Sequence, residues 1–236
     1  MKTPPSLSII LLGSTGLIGS EILKELQKTE RVSKILCPVR KIPKMSPSPR
    51  VEFLEVDFEN TESLQKLFQT KFSAVISALG TTIKKAGSEE NFKKVDYEYP
   101  LAFAKLAKEH FVKQYSIVTA MGSDAKSWVF YNRVKGEVED SIIDLGIDRV
   151  SIFRPSLLLG DRNEFRIGEK IGEAVTKLIP FSLLGLQKYE PIQASKVASA
   201  IVKDLLTNID SPITESHADN HAGLVAIWEN DAIQSL

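Results

Sequence analysis

Ser8-Ile9-Ile10-Leu11-Leu12-Gly13-Ser14-Thr15-Gly16-Leu17-Ile18-Gly19 is the stretch on which the reading of the whole chain turns. Its first five residues are nearly all apolar and read as a buried strand. Three glycines at three-residue intervals follow, and then Ile18, Ile22, Leu23 and Leu26 recur at helical spacing. Glycines in such a turn let the backbone reverse tightly, approach a pyrophosphate with no Cβ in the way, and pack the helix close to the strand. The free N–H groups and positive dipole end of a helix beginning near Leu17 then face the phosphates. Gly13, Ser14, Thr15, Gly16, Leu17, Ile18 and Gly19 are thus the expected pyrophosphate cradle. The spacing is G-x-x-G-x-x-G, not the G-x-G-x-x-G of two-domain dehydrogenases, and a plain glycine-rich strand-to-helix turn can carry the same letters. Its place favours the nucleotide: it follows the first apolar run and precedes a helix-period segment.

Working outward, further strand-like runs occur at Ser33 to Val39, Val51 to Val56, Ala74 to Ala78, Gln114 to Thr119 and Arg149 to Phe153, with helices between most of them. That alternation argues for right-handed βαβ units and a parallel sheet covered on both faces. The fold class expected is therefore α/β: a doubly wound parallel sheet forming a single domain over 1–236, with residues 154–236 as a small extension on the substrate side. Pro43, Pro47 and Pro49 mark a surface connection between the second and third strands. The helix after Ser88 aligns Phe92, Val95, Tyr99, Phe103 and Leu106 on one stripe, and Pro100 should bend it. Lys84, Lys85, Lys93 and Lys94 can be read as a basic patch or, more simply, as a solvated helix start.

Composition narrows the function. Lys+Arg 30 balances Asp+Glu 30, so no overall field draws the protein to nucleic acid or an anionic membrane, and a bound nucleotide must be held by local groups. The single cysteine, Cys37, lies in an apolar run and reads as a buried inert thiol. No apolar stretch approaches the roughly 20 residues needed to span a bilayer. The short apolar run at the N-terminus ends in the glycine turn and lacks a cleavage-site pattern. A reducing compartment, the cytoplasm, is the location expected on these grounds.

The second strand ends in Arg40-Lys41, where a nicotinamide-adenine site distinguishes its cofactors. A carboxylate there would take the ribose 2′-hydroxyl; two cations suit a 2′-phosphate. Charge-assisted bonds from Arg40, at roughly 1.5–3 kcal/mol, would favour NADP(H) by about ten-fold or more, although an ordinary exposed arginine also ends strands. Asp57 and Phe58 follow the third strand, where an adenine edge could be held. Ala78, Leu79, Gly80 and Thr81 form a small-residue loop after the fourth, beside pyrophosphate and ribose.

Thr119 closes the fifth strand, and Tyr131 and Lys135 lie four apart, on one face of a helix whose core stripe is Val134, Val138, Ile142 and Leu145. A phenol titrates near pH 10 and is a poor acid or base at neutrality, but a neighbouring ammonium and a cationic nicotinamide favour the phenolate. Tyr131 then exchanges a proton with a carbonyl or alcohol oxygen, Lys135 holds ribose hydroxyls, and Thr119 bonds the reacting oxygen. The catalytic trio expected is Thr119, Tyr131 and Lys135, with Ser123 as a substitute hydroxyl.

With these residues in place the chain resembles the short-chain dehydrogenase/reductase superfamily, and within it the atypical branch of Tat-interacting, NADPH-binding oxidoreductase-like proteins. The resemblance runs from the first strand nearly to the C-terminus. It rests on Leu79-Gly80-Thr81-Thr82 with Lys85-Ala86-Gly87, on Tyr131 through Val134-Lys135-Gly136-Glu137-Val138-Glu139, and on Phe153-Arg154-Pro155 through Leu158-Leu159 to Asp161-Arg162. It implies a Rossmann domain that binds NADP(H), with the Ser/Thr-Tyr-Lys trio at Thr119, Tyr131 and Lys135. It also implies that Pro155, Ser156 and Leu157 form the turn whose backbone meets the nicotinamide amide. Family members often have two serines where this chain has Thr119-Ala120; threonine keeps the hydroxyl but restricts its rotamer.

Toward the C-terminus, helices are expected over Ile167 to Ile179 and Ser195 to Leu206, with Phe181, Leu183, Leu184, Leu186 and Tyr189 as an apolar rim between them. That rim suits a modest hydrophobic substrate, or simply packs against the sheet or a second subunit. Ser211 to Gly223 is a polar loop. Its His217 and His221 have the separation of a metal pair but lack helical patterning, so no metal is expected. Gly223 to Leu236 reads as a terminal strand and short helix.

Two functions follow. One is an NADP(H)-dependent oxidoreductase acting on a small carbonyl or alcohol. The other is a redox-sensing module that uses bound NADP(H) to present a surface to a protein partner, or to a second copy, with little turnover. A nucleotide-sugar epimerase or dehydratase ranks below both, because its substrate domain is normally larger than the tail after Arg154.

Overall fold

The computed structural model describes residues 5–44, 48–160, 187–212 and 223–236. Its strands are β1 (Leu7–Leu12), β2 (Val32–Val39), β3 (Val51–Glu55), β4 (Ala74–Ser77), β5 (Gln114–Val118), β6 (Arg149–Arg154), β7 (Leu158–Leu159), β8 (Ile192–Gln193) and β9 (Leu224–Glu229). Seven of them form one all-parallel sheet in the order β3-β2-β1-β4-β5-β6-β9, and β7 pairs with β8 apart from it. This is a Rossmann-like, doubly wound α/β fold. The order reverses between β1 and β4, so a crevice opens at their carboxyl ends.

The helices are α1 (Leu17–Lys28), α2 (Thr61–Leu67), α3 (Ile83–Ala86), α4 (Glu89–Lys93), α5 (Tyr99–Glu109), α6 (Phe130–Ile143), α7 (Ala194–Asn208) and α8 (Asn230–Ser235). Ile9 and Leu11 of β1 face a core shared with Ile22 and Leu26 of α1 and with Val197 and Ile201 of α7. Ile10 and Leu12 face the other way, onto Leu64 of α2, Phe103 of α5 and Val138 of α6. Burial on both faces is why β1 reads as an unbroken apolar run.

Pro100 acts differently from the expected bend. Lacking an N–H and crowding the preceding turn, it is accommodated by a π-helical turn over Lys94–Glu98, closed by Tyr99 N–H donating to the Lys94 carbonyl, and α5 starts directly after it. The widened turn shifts the helical phase. Asp96 becomes buried and Val95 only half-buried, whereas Phe92, Phe103 and Leu106 remain in the core as expected.

The helix expected over Ser195 to Leu206 is α7, and the terminal strand and helix are β9 and α8. The helix expected over Ile167 to Ile179, the rim residues Phe181, Leu183, Leu184 and Leu186, the pair Asp161-Arg162, and His217 and His221 lie outside the described residues.

Candidate functional site

Two glycines of the first turn are fixed by backbone contacts. Gly13 has φ +73°, and a Cβ there would lie 2.5 Å from the Ala78 carbonyl oxygen; a Cβ on Gly19 would lie 2.0 Å from the Gly13 carbonyl oxygen. Gly16 caps α1, with its N–H donating to the Gly13 carbonyl at 2.8 Å. No side chain caps this helix and no acid occupies its first turn, so its leading N–H groups and dipole are left to attract an anion. Together with the excluded Cβ positions this fits a pyrophosphate. Ser14 is buried and faces Cys37, whose thiol burial pushes up to about 11, with the serine hydroxyl pulling the other way.

The loop after β4 runs from this turn to Lys135 on α6. Ala78 touches Gly13, and two residues later a Cβ on Gly80 would lie 3.6 Å from Asp96 Oδ1 and 3.9 Å from Lys135 Nζ. The Thr81 amide donates to Asp96 Oδ2 at 2.9 Å. Asp96 thus holds the loop by its backbone and Lys135 by an ion pair of 2.7 Å, with both side chains buried. Burial works against the Lys135 ammonium, but Asp96, with smaller help from Tyr131 and Glu139, outweighs it and holds the pKa above its usual value.

Tyr131 lies one turn before Lys135, half-buried, its ring tilted against Phe92 with centroids 5.5 Å apart. Its hydroxyl makes no hydrogen bond among the described residues. Gly136 lets α6 seat on the loop that follows β5, since a Cβ there would lie 2.1 Å from the Ala125 amide nitrogen. One turn beyond Lys135, buried Glu139 accepts from the Thr119 hydroxyl at 2.5 Å and binds the Arg154 guanidinium, which also reaches Glu229 at 2.9 Å. Ser123 donates to the Ala120 carbonyl at 2.7 Å. The protons of both candidate hydroxyls, Thr119 and Ser123, are therefore engaged within the protein.

At the outer end of the crevice Arg40, Asp57 and Phe58 line one cleft of about 410 Å³, which Glu55, Val56, Glu59 and Tyr99 complete. Lys41 is exposed outside that lining. At the opposite end Ser156 N–H donates to Asn230 Oδ1 at 3.0 Å and the Pro155 carbonyl accepts from Met121 N–H at 2.9 Å, which leaves Leu157, 43% exposed, with the most free surface of the three.

The spacing did not single out Asp96 or Glu139. Asp96 is hidden by the π turn. Glu139 continues the four-residue column Tyr131–Lys135, a signal the core stripe of α6 drew attention away from. Of the four lysines read as a patch or a helix start, Lys93 pairs with Glu137 and Lys94 with Glu59. Among the described residues no group of histidine, cysteine and acidic side chains could hold a metal, and no helix is long and apolar enough to cross a membrane.

The profile of an NAD(P)H-binding family matches residues 13–180. The protein FMP52, mitochondrial, of Candida albicans is 38% identical over 200 residues, covering 83% of this chain and 86% of that one. HTATIP2 of Rattus norvegicus is 33% identical over 231 residues, covering 97% and 88%. Among solved structures, the Bordetella bronchiseptica enzyme WbmH in complex with NAD+ superposes with a TM-score of 0.65 at 15% identity, over 93% of this chain and 74% of that one. The expected cytoplasmic location is overturned by the fungal relatives, whose names are mitochondrial. Neutral charge and a lone buried thiol suit either compartment, so composition had no power to separate them. By family profile and by relatives the chain belongs to the NAD(P)H-binding family, and its fold is shared with the NAD+-bound enzyme on which it superposes.

Proposed function

We propose that this protein is an NADP(H)-dependent oxidoreductase acting on a small carbonyl or alcohol, with Tyr131 as general acid and base. One observation carries the reading: within three residues the loop after β4 meets the glycine turn, at Ala78, and passes beside Lys135, at Gly80, where a Cβ would lie 3.9 Å from Nζ. The phosphate end and the Tyr/Lys helix thus border a common crevice. Gly13 to Gly19 would hold the pyrophosphate, with Ala78, Leu79, Gly80 and Thr81 beside it. Arg40 and Lys41 would meet the 2′-phosphate, Asp57 and Phe58 the adenine, and Pro155, Ser156 and Leu157 the nicotinamide end. When bound, the cofactor supplies or accepts the hydride.

Tyr131, with its hydroxyl unengaged, gives its proton to the carbonyl oxygen or takes one from the alcohol. Lys135, kept protonated by Asp96, donates to ribose hydroxyls. Thr119 is the hydroxyl proposed to meet the reacting oxygen, which requires it to exchange its bond to Glu139. The location we propose is the one in the fungal relatives' names, the mitochondrion; a fluorescent fusion that stays diffuse in the cytosol would count against it.

A second reading, an NADP(H) sensor acting through a protein partner or a second copy, draws on the same ion pair. The Lys135 ammonium is already committed to Asp96 at 2.7 Å, a buried pair that suits a binding shell whether or not it turns over. A turnover screen over aldehydes, ketones and quinones separates the two. In the enzyme, Tyr131→Phe lowers turnover by about 10²–10⁴ while NADPH affinity holds. Full-rate turnover by that variant would sink the assignment of Tyr131, and tight NADPH binding without any turnover favours the sensor.

A further inference from the structure

We infer that Glu55 tempers the proposed preference for NADP(H), so that the chain favours NADPH over NADH by less than about ten-fold and still binds both. The inference rests on the proposed dinucleotide site. Arg40 enters the adenine-end cleft from the end of β2, and Glu55 from the end of β3. The two strands are in register at Val39 and Glu55, and Val56 N–H donates to the Val39 carbonyl at 2.9 Å, so the two side chains are carried by adjacent strand ends. Neither makes an ion pair or a side-chain hydrogen bond among the described residues, and both are exposed. The guanidinium is therefore available to a 2′-phosphate, and the carboxylate is equally available to accept from a 2′-hydroxyl.

The other acids of the cleft are engaged. Asp57 Oδ1 accepts from the Glu59 amide at 2.9 Å, and Glu59 pairs with Lys94 at 3.5 Å and accepts from the Tyr99 hydroxyl at 3.1 Å. A phosphate dianion at Arg40 thus approaches an uncompensated carboxylate at Glu55. That repulsion offsets part of what the guanidinium contributes, whereas the unphosphorylated ribose gains an acceptor. In NAD-selective sites the acid closes the second strand; here a cation holds that place and the acid stands on the third.

The test is direct binding, by quenching of intrinsic fluorescence or by calorimetry, with NADPH and NADH at low and high salt. Wild-type dissociation constants within about ten-fold of each other are expected, with Glu55→Gln tightening NADPH and weakening NADH by about three-fold each, and Glu55→Lys moving the ratio further the same way. Added salt should shrink these differences. Arg40→Ala should weaken NADPH alone. Unchanged constants in both Glu55 variants, or a wild-type preference for NADPH well above about ten-fold, would overturn the role of Glu55. Failure of wild type to bind either dinucleotide would instead overturn the proposed cofactor site, and this inference with it.

Discussion

Lys135 Nζ stands 2.7 Å from Asp96 Oδ1 with both side chains buried. A buried pair of this kind is costly to break and cheap to replace, because removing one partner strands a desolvated charge. Asp96→Leu alone and Lys135→Met alone should each cost about 3–5 kcal/mol in urea unfolding, and the double variant should recover most of that. Additive losses in the double variant would mean that the two groups contribute independently.

The glycines separate by what surrounds them. Gly19→Ala places a Cβ 2.0 Å from the Gly13 carbonyl oxygen and should prevent the turn from closing, with loss of dinucleotide binding and of most of the folded yield. Gly87 has φ +82° but nothing within 4 Å of its Cβ position. Gly87→Ala should therefore cost only about 1–2 kcal/mol, from backbone strain alone, and leave binding unchanged. Equal losses at the two positions would contradict this ranking.

Phe111 is 90% exposed at φ +56°, a left-handed conformation that an aromatic side chain adopts at a cost. It follows the end of α5, where its N–H donates to the Lys108 carbonyl and Val112 N–H to that of Ala107, an arrangement that ordinarily takes glycine or asparagine. Phe111→Asn should raise stability by up to about 1 kcal/mol, read as a higher melting temperature. A lower one would mean that the ring has a covering partner in solution.

Most of the sheet was legible because parallel strands buried on both faces are written as continuous apolar runs, so β1, β2, β4, β5 and β6 showed themselves within a residue or two. The glycine turn was legible because Gly13 and Gly19 are positions no other residue can fill. The charged interior was not. Asp96 reaches Lys135 only through an inserted π turn, which no 3.6-residue projection displays, and Glu139 looks like a surface acid until Arg154 and Thr119 converge on it from two strands. β7 and β8 have two residues each, below the length at which a pattern exists. The Arg40 cleft was half legible: β2 announced the cation, but the opposing carboxylate belongs to β3, and only strand register brings it near.

Asp204, buried in α7, accepts from Gln114 Nε2 at 2.9 Å, Ser151 Oγ at 2.7 Å and Asn208 Nδ2 at 2.8 Å. Burial raises its pKa above the usual carboxylate value, and those hydrogen bonds offset only part of the rise. For an acid raised in the folded state the associated stability is present below the unfolded-state pKa and is lost as pH rises through the folded one. Wild type should therefore gain stability relative to Asp204→Asn as pH is lowered from 7 toward 4, measured as the difference in urea midpoint between the two proteins. The comparison isolates this carboxyl, because the other acids titrate alike in both. A difference that stays flat with pH, or that grows in favour of wild type as pH rises, would mean that the three donors stabilise the charged form more than burial penalises it.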